Sequence, residues 1–220
     1  EDSPRNQQTN VPGLFASGEV DYQYHGANRL GANSLLSCLY AGWIGGKAMA
    51  AHAASAAGEA PSAEGEARGA AARWTERFRT ISAADGDENP YRLHHELGEL
   101  MNENVTIVRH NAQLAMVLDK LKELKAHYRR LGSLDRSGWA NPSLLVANHL
   151  ENLLELAEVV TRGALQRDES RGAHYKPEFP RRDDASWLKT TIATWTPDGP
   201  ALPYEPVDVS LVSPVARKYD

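Results

Sequence analysis

Cysteine is almost absent. Cys38 stands alone among 220 residues and cannot close an internal disulfide, so nothing in the chain points to an oxidising compartment. Set in an apolar run, it reads as a small buried hydrophobe. Long hydrophobic runs are missing too. The longest, Ser34 to Ile44, ends in Gly45-Gly46-Lys47 and falls short of the roughly 20 residues that span a bilayer, so no transmembrane segment is expected. Nor is there an excess of positive charge. A net charge of -5 with both signs interspersed offers no broad basic field to nucleic acid. The opening Glu1-Asp2-Ser3-Pro4-Arg5 has no starting methionine, basic n-region or apolar h-region, and the N-terminus reads as cut. No Gly-x-Gly-x-x-Gly follows a strand, which removes the usual dinucleotide-binding turn. His94-His95-Glu96 lacks the His-Glu-x-x-His spacing of zinc ligands; with Glu99 it reads as helix surface, and no metal site is expected.

What is present is mostly helical periodicity. Val11-Pro12-Gly13 signals a turn, and Leu14 to Ser17 is fit for a short buried strand. A helix is expected to start at Asn33 or Ser34, where a side-chain oxygen can accept from free backbone N–H groups, and to run to about His52. Residues 58–69, with Pro61 and alternating glutamates, read as an exposed linker. Helices are then expected over Ala70 to Ile81 and from Asn89-Pro90 through Leu93, Leu97 and Leu100. The clearest stripe is Leu114, Val117, Leu118, Leu121, Leu124, Tyr128 and Leu131, followed by a helix carrying Leu144, Leu145, Leu150, Leu153, Leu154, Ala157 and Val160. These segments predict an antiparallel three- to four-helix bundle. Past Gly172 the periodicity is lost; Thr190 to Trp195 and Val207 to Val212 are the expected strands of a small irregular β tail. The division that follows is 1–57 for a strand-plus-helix segment, 58–69 for the linker, 70–171 for the bundle and 172–220 for the tail.

Chemistry concentrates between Gly18 and Leu36. Glu19 follows a strand and a glycine, a position where a carboxylate can accept from sugar hydroxyls, although on its own the pattern reads as a solvated turn acid. Arg29, flanked by Gly26 and Gly31, has a planar fork that can hold a carboxylate through two charge-assisted hydrogen bonds; a structural salt bridge is the other reading. Asn33-Ser34-Leu35 presents a helix N-terminus suited to an anion or an electron-rich ring edge. His25 fits either a proton donor or a hydrogen bond that shapes the loop. Arg167, Glu169, Arg171, His174, Arg181, Arg182, Asp183 and Asp184 form a dense charge cluster that reads as a solvated loop or an ion-pair network.

PGLFASGE with HGANRLGANSLLS resembles the C-terminal flavin-binding segment of the succinate dehydrogenase and fumarate reductase flavoprotein subunit. The resemblance continues through Asn89-Pro90-Tyr91-Arg92-Leu93-His94-His95-Glu96-Leu97, Glu169-Ser170-Arg171-Gly172-Ala173-His174, Arg182-Asp183-Asp184 and Trp187-Leu188-Lys189. It implies a mainly α fold, with the C-terminal piece of an FAD-binding α/β domain ahead of the bundle. It implies FAD as cofactor, with Glu19 on the ribityl chain and Asn33, Ser34 and Leu35 at the isoalloxazine ring. It implies Arg29 and His25 on the side of succinate or fumarate.

The implied partners are an iron-sulfur subunit, membrane anchor subunits and, indirectly, quinone, at the cytoplasmic face of the inner membrane. The Asp21-Tyr22-Gln23-Tyr24 insert is closer to members that work with menaquinone. The docking of the charge cluster against the flavin domain or a partner subunit is a further implication. The family's flavin-attaching histidine, its arginine proton shuttle and its other substrate-binding residues have no counterpart here, so no catalytic residue is assigned. On that reading these 220 residues alone are expected to bind no flavin stably and to be inactive. A soluble relative such as L-aspartate oxidase, or a non-catalytic helical interaction module, are the alternatives. Pro206-Val207-Asp208 and Leu30-Gly31-Ala32 favour the dehydrogenase over the oxidase.

Overall fold

The computed structural model describes residues 5–21, 25–56 and 63–215. Its contacts divide the chain into Glu1–Ala72 and Arg73–Asp220. In the first part, a short 3-10 turn over Gly18–Asp21 packs on helix α1, Asn33–Ser55. Buried Ala41, Gly45 and Ala48 line one face of α1, and the side chain of Gln7 lies against Gly45. One turn further on, the ring of His52 meets Phe15 edge to face at 5.8 Å. The strand expected over residues 14–17 is reduced to a single antiparallel bridge between Gln8 and Phe15, closed by the six-residue turn between them. The expected side-chain cap on α1 is also absent. Ala32 occupies the cap position with φ 64°, and its methyl accepts nothing. Tyr22, Gln23 and Tyr24 of the insert, and residues 58–62 of the expected linker, lie outside the described residues. Helix α2, Glu64–Ser82, begins inside the segment read as a linker and buries none of its residues.

The second part is built on three helices, α3 (Pro90–Asn104), α4 (Asn111–Tyr128) and α5 (Pro142–Gln166), each packed on the other two. Two of them start alike. Asn89 accepts from the Tyr91 and Arg92 amides and Asn141 from the Leu144 amide, each followed by a proline whose missing N–H costs the first turn nothing. The α4 stripe is the core: Leu114, Val117, Leu121 and Leu124 are buried against Leu93 and Leu97 of α3 and Leu150 and Leu154 of α5. On α5, however, Leu145, Leu153 and Val160 face outward, and Ala147, Asn148, Thr161 and Ala164 are inside. Small side chains let the helices approach closely. The two polar ones are satisfied, Thr161 by the Ala157 carbonyl at 2.7 Å and Asn148 by Arg77 of α2 at 2.6 Å. The connection before α3 and the one after α4 run together as a backbone strap. Gly86 donates to the Leu131 carbonyl, Glu88 to Arg130, and Gly132 to Glu88 at 2.8 Å. A Cβ on Gly86 would overlap the Arg130 carbonyl.

Beyond α5 most of the charge cluster proves to be an ion-pair network around one buried carboxylate. Glu169 is 0 % exposed. Its carboxylate accepts from Arg167 at 2.9 Å, from two nitrogens of Arg171 at 2.8 and 2.9 Å, and from the Asp183 amide at 3.0 Å. Burial alone would raise this carboxyl; the bonds from Arg171, the Asp183 amide and Arg167 outweigh it and hold the group below the ordinary range. Arg167 also donates to the Trp187 and Lys189 carbonyls, and so carries the network to a hairpin of β1 (Lys189–Thr191) and β2 (Tyr204–Pro206) that follows the single-turn helix α6, Asp184–Trp187. The first expected strand is there, shortened. The second lies at 204–206, ahead of the expected 207–212, because the register pairs Lys189 with Pro206 and leaves Val207 onward beyond the partner strand. His174 completes the network. Its Nδ1 accepts from Arg109 at 2.6 Å, so the ring proton sits on Nε2 and is donated to the Arg167 carbonyl at 3.0 Å. Desolvation lowers its pKa, and the charges of Arg109, Lys176 and Arg167 add to the effect.

Gly86→Ala is expected to lower the free energy of unfolding by about 1–3 kcal/mol. Gly138→Ala, in open surroundings, should cost far less, and urea unfolding of the two variants compares them. A neutral buried His174 stabilises the fold fully above its unfolded value of 6.5, and that contribution declines as pH falls toward the lower folded value. The Glu169 contribution is lost only below the ordinary 4.5. His174→Gln, which keeps an acceptor and a donor, should therefore flatten the stability curve between pH 6.5 and 4.5; an unaltered slope there would exclude His174 as its source.

Candidate functional site

The chemistry-bearing loop folds over the first turns of α1. Gly18, at φ 79°, turns the chain so closely past the helix that Cys38 Sγ would lie 3.3 Å from a Cβ there. This is what the small half-buried cysteine accommodates. The turn delivers Glu19 to the surface, where its carboxylate is 3.3 Å from Nη1 of Arg29. The two sequence candidates ten residues apart are thus one ion pair, with side chains 82 and 47 % exposed. A single long contact between exposed charges is worth about 0–1 kcal/mol, so either partner is readily redirected to a ligand.

His25 lies at the other end of the loop. Its Nε2 is 3.0 Å from Oγ of Ser37 on α1, and the Ser37 hydroxyl reaches the Ser34 carbonyl at 2.9 Å. Between His25 and α1, residues 26–32 are exposed, with Gly26 and Gly31 facing open space. Ala32 leaves the helix start without a side-chain cap; the Asn33 amide donates to the Leu30 carbonyl, and the amides after it keep the partial positive charge of the helix end. Asn33 and Ser34 are half-buried there, and Leu35 is 76 % exposed. The structure therefore brings together Glu19 with Arg29 and His25 with the Ser34 turn. Sequence reasoning missed Ser37. Its signal was available, since Ser34 and Ser37 are one helical turn apart, but its histidine partner is fixed only by the fold. An uncapped helix start beside an exposed guanidinium can take an anionic edge and a carboxylate side by side. Among the described residues no cluster of three metal-ligating side chains occurs, and no helix is long and apolar enough to cross a membrane.

Comparison with known proteins gives two family matches along the chain. Residues 94–219 match the model for the fumarate reductase flavoprotein C-terminal region, and residues 3–35 match that for an FAD-binding domain. The succinate dehydrogenase flavoprotein subunit of Bacillus subtilis is 44 % identical over 219 residues, which is 97 % of this chain and 37 % of that protein. The fumarate reductase flavoprotein subunit of Haemophilus influenzae is 35 % identical, over 97 % of this chain and 36 % of its own length. Among solved structures, E. coli quinol fumarate reductase superposes with a TM-score of 0.86 at 35 % identity, covering 96 % of this chain and 36 % of its own. Sdh1 of Mycobacterium smegmatis gives 0.71 at 31 %, over 93 % of this chain and 33 % of its own. The chain thus spans just over a third of the length of the curated relatives it matches, and its FAD-binding match covers the Glu19–Arg29 loop and the start of α1. With the loop, the uncapped helix and the bundle all falling in matched segments, the chain belongs to the succinate dehydrogenase and fumarate reductase flavoprotein family, in its C-terminal region.

Proposed function

We propose that this chain supplies the C-terminal part of a flavoprotein that interconverts succinate and fumarate, with Arg29 as a carboxylate clamp. The observation that carries this is the Glu19–Arg29 pair at the uncapped start of α1. The residues present fit FAD. Glu19 offers an exposed carboxylate to ribityl hydroxyls, and the N–H groups at Ser34 and Leu35, next to Asn33 whose own amide is taken by the Leu30 carbonyl, suit the electron-rich edge of the ring. When bound, the flavin supplies the two-electron acceptor or donor of the reaction. In the direction of succinate oxidation one C–H bond is broken as hydride and the neighbouring one as a proton taken by a base; this chain offers no assigned base for that proton. Its own contribution is to bind and orient. Arg29 exchanges its one contact with Glu19 for two charge-assisted bonds to a substrate carboxylate, placing positive charge where negative charge develops on the reacting carbons. His25 shapes the substrate side of the loop.

The outward face of α1 supports a larger assembly. Leu35, Leu36, Leu39, Tyr40 and Trp43 are all more than half exposed, although a helix apolar on every side belongs in an interior. We infer that the remainder of the flavin domain covers it, with residues 1–57 as part of that domain and 70–171 as a separate helical one. Electrons then pass to an iron-sulfur subunit and, through membrane anchor subunits, to quinone, at the cytoplasmic face of the membrane. Alone, the 220 residues hold no FAD.

Arg29→Gln in the full-length flavoprotein is expected to lower kcat/KM for succinate by about 10²-fold or more, with flavin content and visible spectrum retained. Turnover within twofold of the parent would remove Arg29 from the site.

A further inference from the structure

We propose that Ser37 is a positioning residue. Its hydroxyl fixes the ring proton of His25 on Nε2 and tethers the Arg29 loop to α1 in its substrate-binding position. The proposal rests on the role of Arg29 given above, and deepens it.

A serine hydroxyl has one proton to give. Ser37 gives it to the carbonyl of Ser34, one turn back on the same helix, at 2.9 Å. What remains on Oγ is a lone pair, and His25 Nε2 stands 3.0 Å from it. The contact is a hydrogen bond only if Nε2 carries the hydrogen, so a neutral His25 has its lone pair on Nδ1. The helix thereby dictates the tautomer of a loop residue through an oxygen that is itself oriented by the helix backbone.

The same bond has a mechanical consequence. Gly26, at φ 62°, and Gly31 leave the loop conformationally permissive, and residues 26–30 are exposed throughout. At its C-terminal end the loop is joined to α1 by the chain, with the Asn33 amide donating to the Leu30 carbonyl at 3.3 Å. At its N-terminal end the His25–Ser37 bond supplies a side-chain anchor. Arg29 sits between the two anchors and, among the described residues, is held sideways by one exposed pair with Glu19, which substrate displaces. Once that pair is exchanged, the orientation of Arg29 depends on the anchors at either end. Loss of the Ser37 anchor should therefore weaken substrate binding more than it slows the chemistry.

The test uses the full-length flavoprotein in its complex. Ser37→Ala is expected to raise KM for succinate about 3- to 10-fold, the worth of one part-buried hydrogen bond, with kcat changed less than twofold and the flavin spectrum unaltered. Ser37→Thr keeps a hydroxyl that can still bond the carbonyl one turn back, and should restore KM. Ser55→Ala serves as control. Ser55 bonds the His52 carbonyl at 2.8 Å at the far end of the same helix, so its loss reports helix weakening without touching the loop. An unchanged KM in Ser37→Ala, an equal rise in Ser55→Ala, or failure of Ser37→Thr to restore KM would each overturn the proposal. Arg29→Gln separates the two ideas: if it abolishes turnover while Ser37→Ala leaves KM unchanged, the positioning role alone is lost, and if it retains turnover both fall together.

Discussion

A fully buried carboxylate is unstable unless every lone pair is answered, and Glu169 turns that constraint into architecture. Two arginines that flank it two residues away on either side, and the Asp183 amide from fourteen residues further on, converge on it. Arg167 comes from the end of α5 and also holds the Trp187 and Lys189 carbonyls; its guanidinium lies 5.4 Å from the Trp187 ring, which meets Tyr204 of the hairpin edge to face. Arg171 goes on to Asp184, whose other oxygen takes Arg182. The segment after the bundle has no leucine stripe with which to pack. It is held by charge instead, and removing one partner would leave the others buried and unpaired.

Local sequence was readable where a local signal decided the outcome. Asn89-Pro90 marks a helix start because both the cap and the proline act within one turn, and Leu114 to Leu124 marks a core because its spacing matches the helix period. Reading failed where partners decide. On α5 the stripe predicts the inner face at Leu150, Leu154 and Ala157, but Leu145, Leu153 and Val160 face outward and Ala147 and Ala164 lie inside, since the distance between helices rather than hydropathy selects the residue. Val207 to Val212 alternates like a strand, but the hairpin register is used up at Pro206. The charge cluster was legible as a solvated loop or an ion-pair network; which of the two, and the burial of Glu169, were not, because nothing in a run of alternating signs says which carboxylate the chain wraps around.

The site divides in the same way. Glu19, His25, Arg29 and the start of α1 were recognisable as residue types in a spaced motif. That Glu19 and Arg29 pair with one another depends on the left-handed turn at Gly18, and that α1 lacks a cap depends on Ala32 taking a conformation more often left to glycine. A polar residue at the cap would have satisfied the helix from within. With alanine there, the helix end keeps its partial charge for whatever lies in front of it.

The strap between Gly86 and Gly132 also determines where this fold can change length. Its two segments lie so close that neither glycine can take a side chain without meeting backbone of the other. An extra residue on either side would shift the paired amides out of register with their carbonyls. The stretch from Asp135 to Ala140 is different: Asp135 and Ser137 close their own small turns, and Trp139 is left outside. Longer or shorter versions of that stretch leave the helices where they are, so insertions and deletions among descendants of this sequence should gather there, and the strap should keep its length.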